Sequence, residues 1–490
     1  MNILAIDQGT SATKAVLVGP GQQVLGAGEV PVATRAAGDA VEADPEELLA
    51  SVLTAGRRAL AAARARADAV ALANQGETVL AWDRRTGRPL TPAIVWQDRR
   101  SAGVCTRLAD QAGWLTQVTG LPLDPYFAAP KMTWLRENLT ADGVVTTTDT
   151  WLLARLGAGY VTDAATASRT MLLDLDTADW SERACAAFGI DPAALPAVVD
   201  CAGVAGETAA FGRPVPVAGL AVDQQAALLA EGCLTAGQAK CTYGTGAFLL
   251  AATGDRPVRS SAGLSASVAW RLAGVPAYCL DGQVYTAGSA VRWLTELGIA
   301  TGAAELDAAG ATVPDSGGVR FVPALAGLGA PHWRPDARGA FLGLGLGSSR
   351  AHLIRAVLDG LAASIALLAR SVARDLGAPL TVLRVDGGLT RSRLLLQAQA
   401  DLLQLPIEVY RSPDATAFGV AALARLGVGA AGSLAEAVGP GGAGAAGGAG
   451  GAGGAGGAET VVEPAISADQ AAQRLADFEA AVQLVLAAGR

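Results

Sequence analysis

The feature that most constrains this chain is a short unit near its start, in which two apolar runs flank a tight polar turn. Residues 3–6 are all apolar, residues 7–11 read Asp7-Gln8-Gly9-Thr10-Ser11, and a second apolar run occupies 15–18. An apolar run without a polar face is typical of a strand that is buried on both sides. Glycine and hydroxyl residues suit a tight turn that aims N–H and O–H groups at one point. The pattern therefore predicts a strand–turn–strand unit.

The chemistry of this turn has two interpretations. An aspartate such as Asp7 at the mouth of the turn suits a hydrated Mg²⁺, and the neighbouring donors suit phosphate oxygens. The spacing differs from the GxxxxGK[ST] loop that leads into a helix. The alternative is an ordinary hairpin, in which aspartate and glycine only provide turn chemistry.

The totals limit the classes of protein to which the chain can belong. Its 490 residues predict two or three domains. A net charge of −8 without a basic run disfavours nucleic acid as a partner. The sequence contains no run of eighteen strongly apolar residues free of charge, so no contact with a membrane is expected. Six scattered cysteines and the lack of a leader-like start predict a cytoplasmic protein. With only two histidines, carboxylates are the expected proton carriers.

The opening pattern occurs a second time after Cys233. Residues 240–246 lead into an apolar run at 247–251, and further strands and a helix follow. This repetition predicts an internal duplication with an N-terminal domain at 1–233 and a C-terminal domain at 234–430. Strands that alternate with helices in two halves predict an α/β protein with a cleft between the lobes.

The end of the chain has a different composition. Residues 437–458 are almost entirely glycine and alanine, which predicts a flexible linker, with an interaction tract as the alternative. The tail at 459–490 contains an amphipathic helix at about 467–488, which is predicted to dock on the body. Its apolar stripe consists of Leu475, Phe478, Val482 and Val485.

Three glycine-containing turns follow predicted buried strands, at 7–11, 243–246 and 386–388. Together they predict a clamp for one nucleotide, because glycine lets backbone N–H groups approach phosphates closely. Other stretches complete an ordered series, namely 74–78, 94–100, 119–127, 148–153, 161–172, 223–227, 242–246, 327–333 and 384–388. Through this series the chain resembles the FGGY family of carbohydrate kinases from residue 3 to about residue 427. The Gly/Ala tract and the tail lie outside the resemblance.

The resemblance implies an α/β, actin-like ATPase fold, in which two ribonuclease-H-like domains close over ATP and Mg²⁺ in an interdomain cleft. It also implies ATP-dependent phosphorylation of a terminal hydroxyl of a small polyol, with glycerol as the default acceptor and glycerol 3-phosphate as the product. A homodimer is compatible with the resemblance.

Asp223 matches the catalytic base of the family. A primary hydroxyl is a weak nucleophile, and a nearby carboxylate can orient it and take its proton. The alternative role for Asp223 is a helix N-cap, because it stands where a predicted strand gives way to a helix. Asp7 matches the carboxylate near Mg²⁺. The implied nucleotide positions are Gly9, Thr10, Ser11, Lys14, Gly244 and Thr245 at the phosphates, and Gly288, Arg292, Gly388 and Ser392 at the nucleoside.

The implied acceptor pocket combines hydroxyl-binding groups with aromatic rings that would cover C–H faces. Its positions are Gly76, Glu77, Trp96, Tyr126, Asp223, Gln224 and Phe248. For Trp96 and Phe248, plain core packing is the alternative role.

Several positions depart from the family members that phosphorylate glycerol. Gly76 stands where those members have arginine, which predicts a Glu77 without its usual neighbour and extra space beside it. Lys14 likewise replaces an arginine, while Arg292 and Ser392 replace glutamine and asparagine. A lost charged hydrogen bond is worth about 1.5–3 kcal/mol. Two alternatives to the phosphorylation of glycerol therefore stay open. One is the same reaction on a longer polyol or ketose, such as a tetritol or xylulose. The other is a non-catalytic, actin-like nucleotide-binding protein.

Overall fold

Two mixed sheets, one from each half of the chain, organise the computed structural model, which describes residues 1–410, 412–439 and 460–488. In chain order, the elements of the first half are β1 (Ile3–Gln8), β2 (Ala12–Val18), β3 (Val24–Pro31), β4 (Thr34–Ala37), β5 (Ala40–Ala43), α1 (Pro45–Ala63), β6 (Ala69–Asn74), β7 (Val79–Trp82), β8 (Ala93–Ile94), α2 (Ala102–Arg107), α3 (Ala112–Thr119), α4 (Ala128–Asn138), β9 (Val144–Thr147), α5 (Thr148–Leu156), β10 (Val161–Asp163), α6 (Ala164–Ser168), β11 (Leu173–Asp174), β12 (Asp179–Trp180), α7 (Glu182–Ala187), β13 (Ala197–Val199), β14 (Ala202–Thr208), β15 (Val215–Val222) and α8 (Asp223–Ala230).

The second half continues with β16 (Gln238–Tyr243), β17 (Ala247–Gly254), β18 (Ser265–Leu272), β19 (Val275–Val284), α9 (Gly288–Glu296), α10 (Ala303–Gly310), β20 (Arg320–Val322), β21 (Ala340–Leu342), α11 (Arg350–Leu376), β22 (Val382–Asp386), α12 (Arg393–Leu403), β23 (Ile407–Val409), α13 (Ala415–Gly427), α14 (Leu434–Val438), β24 (Thr460–Val462) and α15 (Ala468–Ala488). Short 3-10 helices lie at Ala109–Gln111, Pro192–Ala194 and Gly388–Arg391.

The two sheets repeat one topology, which confirms the predicted internal duplication. In the first sheet, of order β14-β15-β6-β1-β2-β3, the central β1 pairs antiparallel with β2 and parallel with β6. In the second, of order β18-β19-β17-β16-β22-β23-β24, β16 pairs antiparallel with β17 and parallel with β22. The next strands continue both patterns, because β3 and β19 are antiparallel while β15 and β23 are parallel.

The apolar run at 3–6 is explained by helices on both faces of the first sheet. All four residues are fully buried, and their side chains alternate between two cores. Leu4 and Ile6 pack in the core that contains the buried side of α1. Ile3 and Ala5 pack in the core that contains α13. Full burial of a leucine or isoleucine side chain is worth about 1.5–3 kcal/mol.

The helix α13 packs across the predicted domain division. Its sequence lies within the predicted domain 234–430, yet it contacts α8 and the strands β1, β6 and β15 of the first half. Small residues make the close approach possible, since a Cβ on Gly419 would collide with the carbonyl of Ala226. The division at 233/234 remains a prediction, and this packing shows that the first half is completed by residues from beyond it.

The tail returns to the second half. Strand β24 pairs antiparallel with β23, and α15 buries the predicted stripe of Leu475, Phe478, Val482 and Val485 in the second core. The predicted linker at 437–458 begins too early, because Ala437 and Val438 belong to α14 and are buried against the first half. Its residues 440–458 lie outside the described residues.

One helix, α11, is long and apolar enough to cross a membrane by length and composition alone. Within its most apolar 18-residue window, 72% of the residues are buried inside the protein. The helix lies in the second core with α12 and β20 packed against it, so its apolar character is explained by this packing.

Candidate active site

A cavity of about 400 Å³ lies between the turns of the two sheets. Most of the predicted site residues line it, from both halves of the chain: Thr10, Ser11, Glu77, Trp96, Tyr126, Asp223 and Gln224 from the first, and Gly244, Thr245, Phe248 and Arg292 from the second. The other predicted positions, namely Asp7, Gly9, Lys14, Gly76, Gly288, Gly388 and Ser392, are not among the described residues that line this cavity.

The parallel strands explain why the polar residues of the first half meet. Strands β1, β6 and β15 run in the same direction, with Gln8 beside Asn74 and Val222 beside Asn74. The carboxyl ends of parallel strands form a common edge, where polar side chains can converge. Asp7 is the penultimate residue of β1, the turn with Glu77 follows β6, and Asp223 directly follows β15.

Glycines bring the turns of the second half together. A Cβ on Gly387, whose φ is +95°, would collide with the carbonyl of Tyr243. A Cβ on Gly288 would lie 2.6 Å from the carbonyl oxygen of Gly244. Larger residues would separate these segments, so the turn at 386–388 and the start of α9 both depend on glycine to reach the turn at 243–246.

Asp223 is the first residue of α8, and its Oδ1 accepts a hydrogen bond from the backbone N–H of Gln224 at 2.6 Å. Burial raises the pKa of Asp223 to about 6, and the charge of Lys240 opposes this rise. A carboxylate with this pKa is ionised at neutral pH and still has appreciable proton affinity, which suits a general base. Lys240 is fully buried, and its Nζ donates to the side chains of Gln224 and Thr242.

Carboxylates outnumber cations around the opening turn. The pKa of Asp7 is raised to about 8, mainly by burial and also by the charges of Asp223, Asp414 and Asp386, while Lys14 acts in the opposite direction. The Oδ1 atom of Asp386 is buried without a hydrogen-bond partner in the described structure. Buried carboxylates in this arrangement fit a cation.

Within residues 1–410, 412–439 and 460–488, no three Asp, Glu, His or Cys side chains are close enough to hold a metal ion by themselves. The carboxylates of Asp7 and Asp386 therefore suit an ion that water and phosphate oxygens also coordinate, as is usual for Mg²⁺.

Lys14 lies opposite Asp7 in the β1–β2 register. Its Nζ is 3.9 Å from Asp414 Oδ1, and its side chain is 37% exposed. Asp414 precedes α13, so this contact places the end of the second half beside the opening turn. The lysine is positioned to bring positive charge near an anion bound at the turn.

Three aromatic residues form one wall of the cavity. The ring of Trp96 lies 5.6 Å from that of Tyr126 and 6.1 Å from that of Phe248, both edge-on. The indole Nε1 donates to Thr10 Oγ1 at 2.8 Å, and the Thr10 hydroxyl donates to Gln75 Oε1 at 3.2 Å. Side-chain hydrogen bonds therefore link the phosphate turn to the aromatic wall.

The sequence-based expectation for Glu77 differs from the structure. Because residue 76 is glycine, Glu77 was expected to lack its usual neighbour. Instead, Glu77 Oε1 accepts a hydrogen bond from Arg169 Nε at 2.7 Å, and the same guanidinium pairs with Asp281. Burial nevertheless raises the pKa of Glu77 to about 7, with Arg169 acting in the opposite direction.

Sequence reasoning missed three buried charges near this site, although each had a signal. Arg169 lies within the matched stretch 161–172, and Asp281 interrupts a predicted buried strand. Lys131 is fully buried in the apolar sequence around α4, and it donates to the carbonyls of Pro125, Tyr126 and Phe127. A charge inside an apolar element needs a partner, so these positions could have been singled out.

Of the positions predicted to contact the nucleoside, Arg292 lines the cavity from α9, whereas the side chain of Ser392 is already hydrogen-bonded within the protein. The Ser392 hydroxyl donates to Asp307 and accepts from the backbone N–H of Leu395, which caps α12. A nucleoside contact by Ser392 would therefore compete with these bonds.

Comparisons with known proteins agree with this geometry. The models of the N-terminal and C-terminal domains of the FGGY family of carbohydrate kinases match residues 2–230 and 239–427. A glycerol kinase of Thermus brockianus is 46% identical over 451 residues, covering 87% of this chain and 90% of that protein. One from Alkalilimnicola ehrlichii is 41% identical over 501 residues, covering 98% and 97%.

The crystal structure of Plasmodium falciparum glycerol kinase with ADP has a TM-score of 0.89 and 30% identity, covering 99% of this chain and 98% of that one. These similarities confirm the α/β fold of two ribonuclease-H-like, actin-like domains. The chain is an ATP-dependent kinase and belongs to the FGGY family of carbohydrate kinases.

Proposed function

We propose that the protein transfers the γ-phosphoryl group of ATP to a terminal hydroxyl of glycerol, giving glycerol 3-phosphate and ADP. The observation that carries this proposal is the position of Asp223, which lines one cavity with residues of the turns at 7–11 and 243–246 and with the aromatic wall. The relatives named glycerol kinase, at 41–46% identity, support glycerol as the acceptor. The cytoplasm, where ATP is available, is the proposed compartment.

In the proposed mechanism, Asp223 orients the acceptor hydroxyl and removes its proton as the oxygen attacks the γ-phosphorus. Glu77 and Tyr126 bind the remaining hydroxyls, while Trp96 and Phe248 cover the C–H faces. The backbone N–H groups of the turns at 7–11 and 243–246 bind phosphate oxygens, and Lys14 offsets the charge on the transferring group.

Asp7 and Asp386 would hold a Mg²⁺ ion together with water and ATP, and the ion would supply positive charge to the phosphates. The aromatic wall and the approach of the two halves exclude water from the reacting atoms, which limits wasteful hydrolysis of ATP.

Coupled assay of ADP release with glycerol, tetritols and xylulose tests the acceptor. We expect the highest kcat/KM with glycerol. Turnover of a four- or five-carbon acceptor without turnover of glycerol would instead establish the alternative acceptor, which the missing side chain at Gly76 favours.

The Asp223→Asn variant tests the role of the base. It should lose phosphoryl transfer while ATP still stabilises it against thermal unfolding. Activity close to that of the wild type would show that Asp223 is not the base.

A further inference from the structure

Arg169 joins the acceptor end of the cavity to both halves of the protein. It follows α6 in the first half, is only 4% exposed, and lines the cavity. Its Nε donates to Glu77 Oε1 at 2.7 Å, and its Nη1 and Nη2 donate to the carboxylate of Asp281 at 2.5 and 3.3 Å. Because Asp281 lies on β19, the guanidinium bridges the first half to the second sheet.

These contacts fix the plane of the guanidinium and leave part of it available. A guanidinium has five N–H groups in a rigid fork, and the two carboxylates engage three of them. The rings of Phe127 and Tyr126 lie 5.3 and 5.9 Å from its central carbon. Two N–H groups, one on each Nη, therefore remain for a ligand at a defined orientation.

Charge at this end of the cavity favours a neutral ligand. Among the described residues that line it, the cations are Arg169 and Arg292, and Arg292 belongs to α9, which begins against the turn at 243–246. Arg169 is paired with two buried carboxylates, Glu77 and Asp281, so its positive charge is balanced within the cluster. Such a cluster can donate to hydroxyl oxygens and accept from hydroxyl hydrogens, and because its cation is already neutralised it gives an anion no net attraction.

We propose that Arg169 is a specificity-determining residue for the acceptor, with its two remaining N–H groups donating to a hydroxyl oxygen of a neutral 1,2-diol. Glu77 accepts from the adjacent hydroxyl, and Asp281 holds the fork in place from the other half. The inference rests on the proposed polyol kinase activity. Since residue 76 is glycine and offers no side chain to the polyol, Arg169 is the guanidinium that would bind it.

Steady-state kinetics of Arg169→Lys test this assignment, because lysine keeps the charge but loses the fork. We expect the KM for the acceptor to rise about 10- to 100-fold, the range of a lost charged hydrogen bond, while the KM for ATP stays within about twofold.

Asp281→Asn should raise the acceptor KM by a smaller factor, about 3- to 10-fold, because it loosens the fork without removing it. Glycerate, an anionic analogue of glycerol, should remain a poor acceptor for all variants.

Arg271→Lys is the matched control. Arg271 is also held in a pair that joins the halves, with Nε 2.7 Å from Asp200 Oδ1 and Nη1 2.8 Å from the carbonyl of Ala178, and it does not line the cavity. The Arg271→Lys variant should lose about as much thermal stability as Arg169→Lys, while its KM for the acceptor stays unchanged. An acceptor KM of Arg169→Lys equal to that of Arg271→Lys, or an equal rise in the KM for ATP, would overturn the assignment.

The two proposals fail in different ways. If the wild type phosphorylates another polyol and not glycerol, the acceptor proposal fails, and the same three variants are compared on that polyol. Thermal stabilisation by the polyol without ATP gives a second readout that needs no turnover. Loss of this stabilisation in Arg169→Lys and its retention in Arg271→Lys supports the role of Arg169, and retention in both overturns it.

Discussion

The two halves of the protein carry different side chains on the same hairpin. In the first half, Asp7 stands two residues before the turn glycine and Lys14 faces it across the hairpin. In the second, the corresponding position holds Thr242, which faces Phe248. The turn with an aspartate is suited to a metal ion and a transferring phosphoryl group, and the turn without one to binding phosphates through N–H groups. The two hairpins share a backbone arrangement and differ in their side chains.

The sharpest test of this comparison is to remove one side chain from each hairpin. Asp7→Asn should lower kcat about 100- to 1000-fold, the usual loss when a preorganised electrostatic group is removed. Thr242→Val should lower it only about tenfold, since it removes one hydrogen bond, accepted from Lys240 Nζ, and no charge. The check is kcat at saturating substrates across a Mg²⁺ titration. Similar losses for both variants would contradict the division of labour.

Lys14 provides the next largest expected effect. Lys14→Met should reduce kcat about 10- to 100-fold, because a positive charge near the transferring group is lost, and Lys14→Arg should retain most of the activity. Since the side chain is partly exposed, the midpoint of thermal unfolding should change little in either variant. A fully active Lys14→Met protein would show that this charge acts elsewhere.

The third turn offers a pair of neighbouring glycines with different surroundings. Gly387→Ala should lower the free energy of unfolding by about 1–3 kcal/mol, because Gly387 has a positive φ and no room for a Cβ beside Tyr243. Gly388→Ala should change it by about 0.5 kcal/mol or less, since no atom lies within 4 Å of its Cβ position. Chemical denaturation measures both, and equal losses would refute the close contact between the turns.

The smallest effect concerns pH. The base form of Asp223 is the carboxylate, and burial raises its pKa to about 6. Titration of Asp223 alone should therefore leave kcat/KM constant above about pH 7, halve it near pH 6, and lower it about tenfold per unit below that. Protonation of Glu77, with a pKa of about 7, adds to the acidic loss. A pH profile of kcat/KM checks this, and an acidic limb centred near 4 would mean that Asp223 is more solvated than the structure indicates.

Much of the scaffold could be predicted because its signals are local. The apolar run at 3–6, the glycines of the three turns and the stripe of α15 each reflect the surroundings of one element. Packing between distant segments leaves no such local trace. The close contact of α13 with β1 depends on small residues some 400 positions apart in sequence, which no window of sequence reveals.

The site shows the same limit. Asp223 and the phosphate turns were predicted because their motifs are contiguous, and their catalytic roles remain predictions. Arg169 and Asp281 come from different halves, and their pairing depends on how the two sheets meet. Gly76 suggested an empty space beside Glu77, whereas a guanidinium from 92 positions away supplies the partner.

The position of α13 has a consequence for how the protein is made on the ribosome. The face of the first sheet that contains Ile3 and Ala5 is covered by a helix that ends at Gly427. During synthesis this apolar surface lacks that helix until residue 427 has been made. Contacts of such long sequence separation form slowly, and exposed apolar surface favours aggregation and chaperone binding. Truncations shortly before Ala415 should therefore yield nascent chains that depend on chaperones, although every residue of the first half is already present.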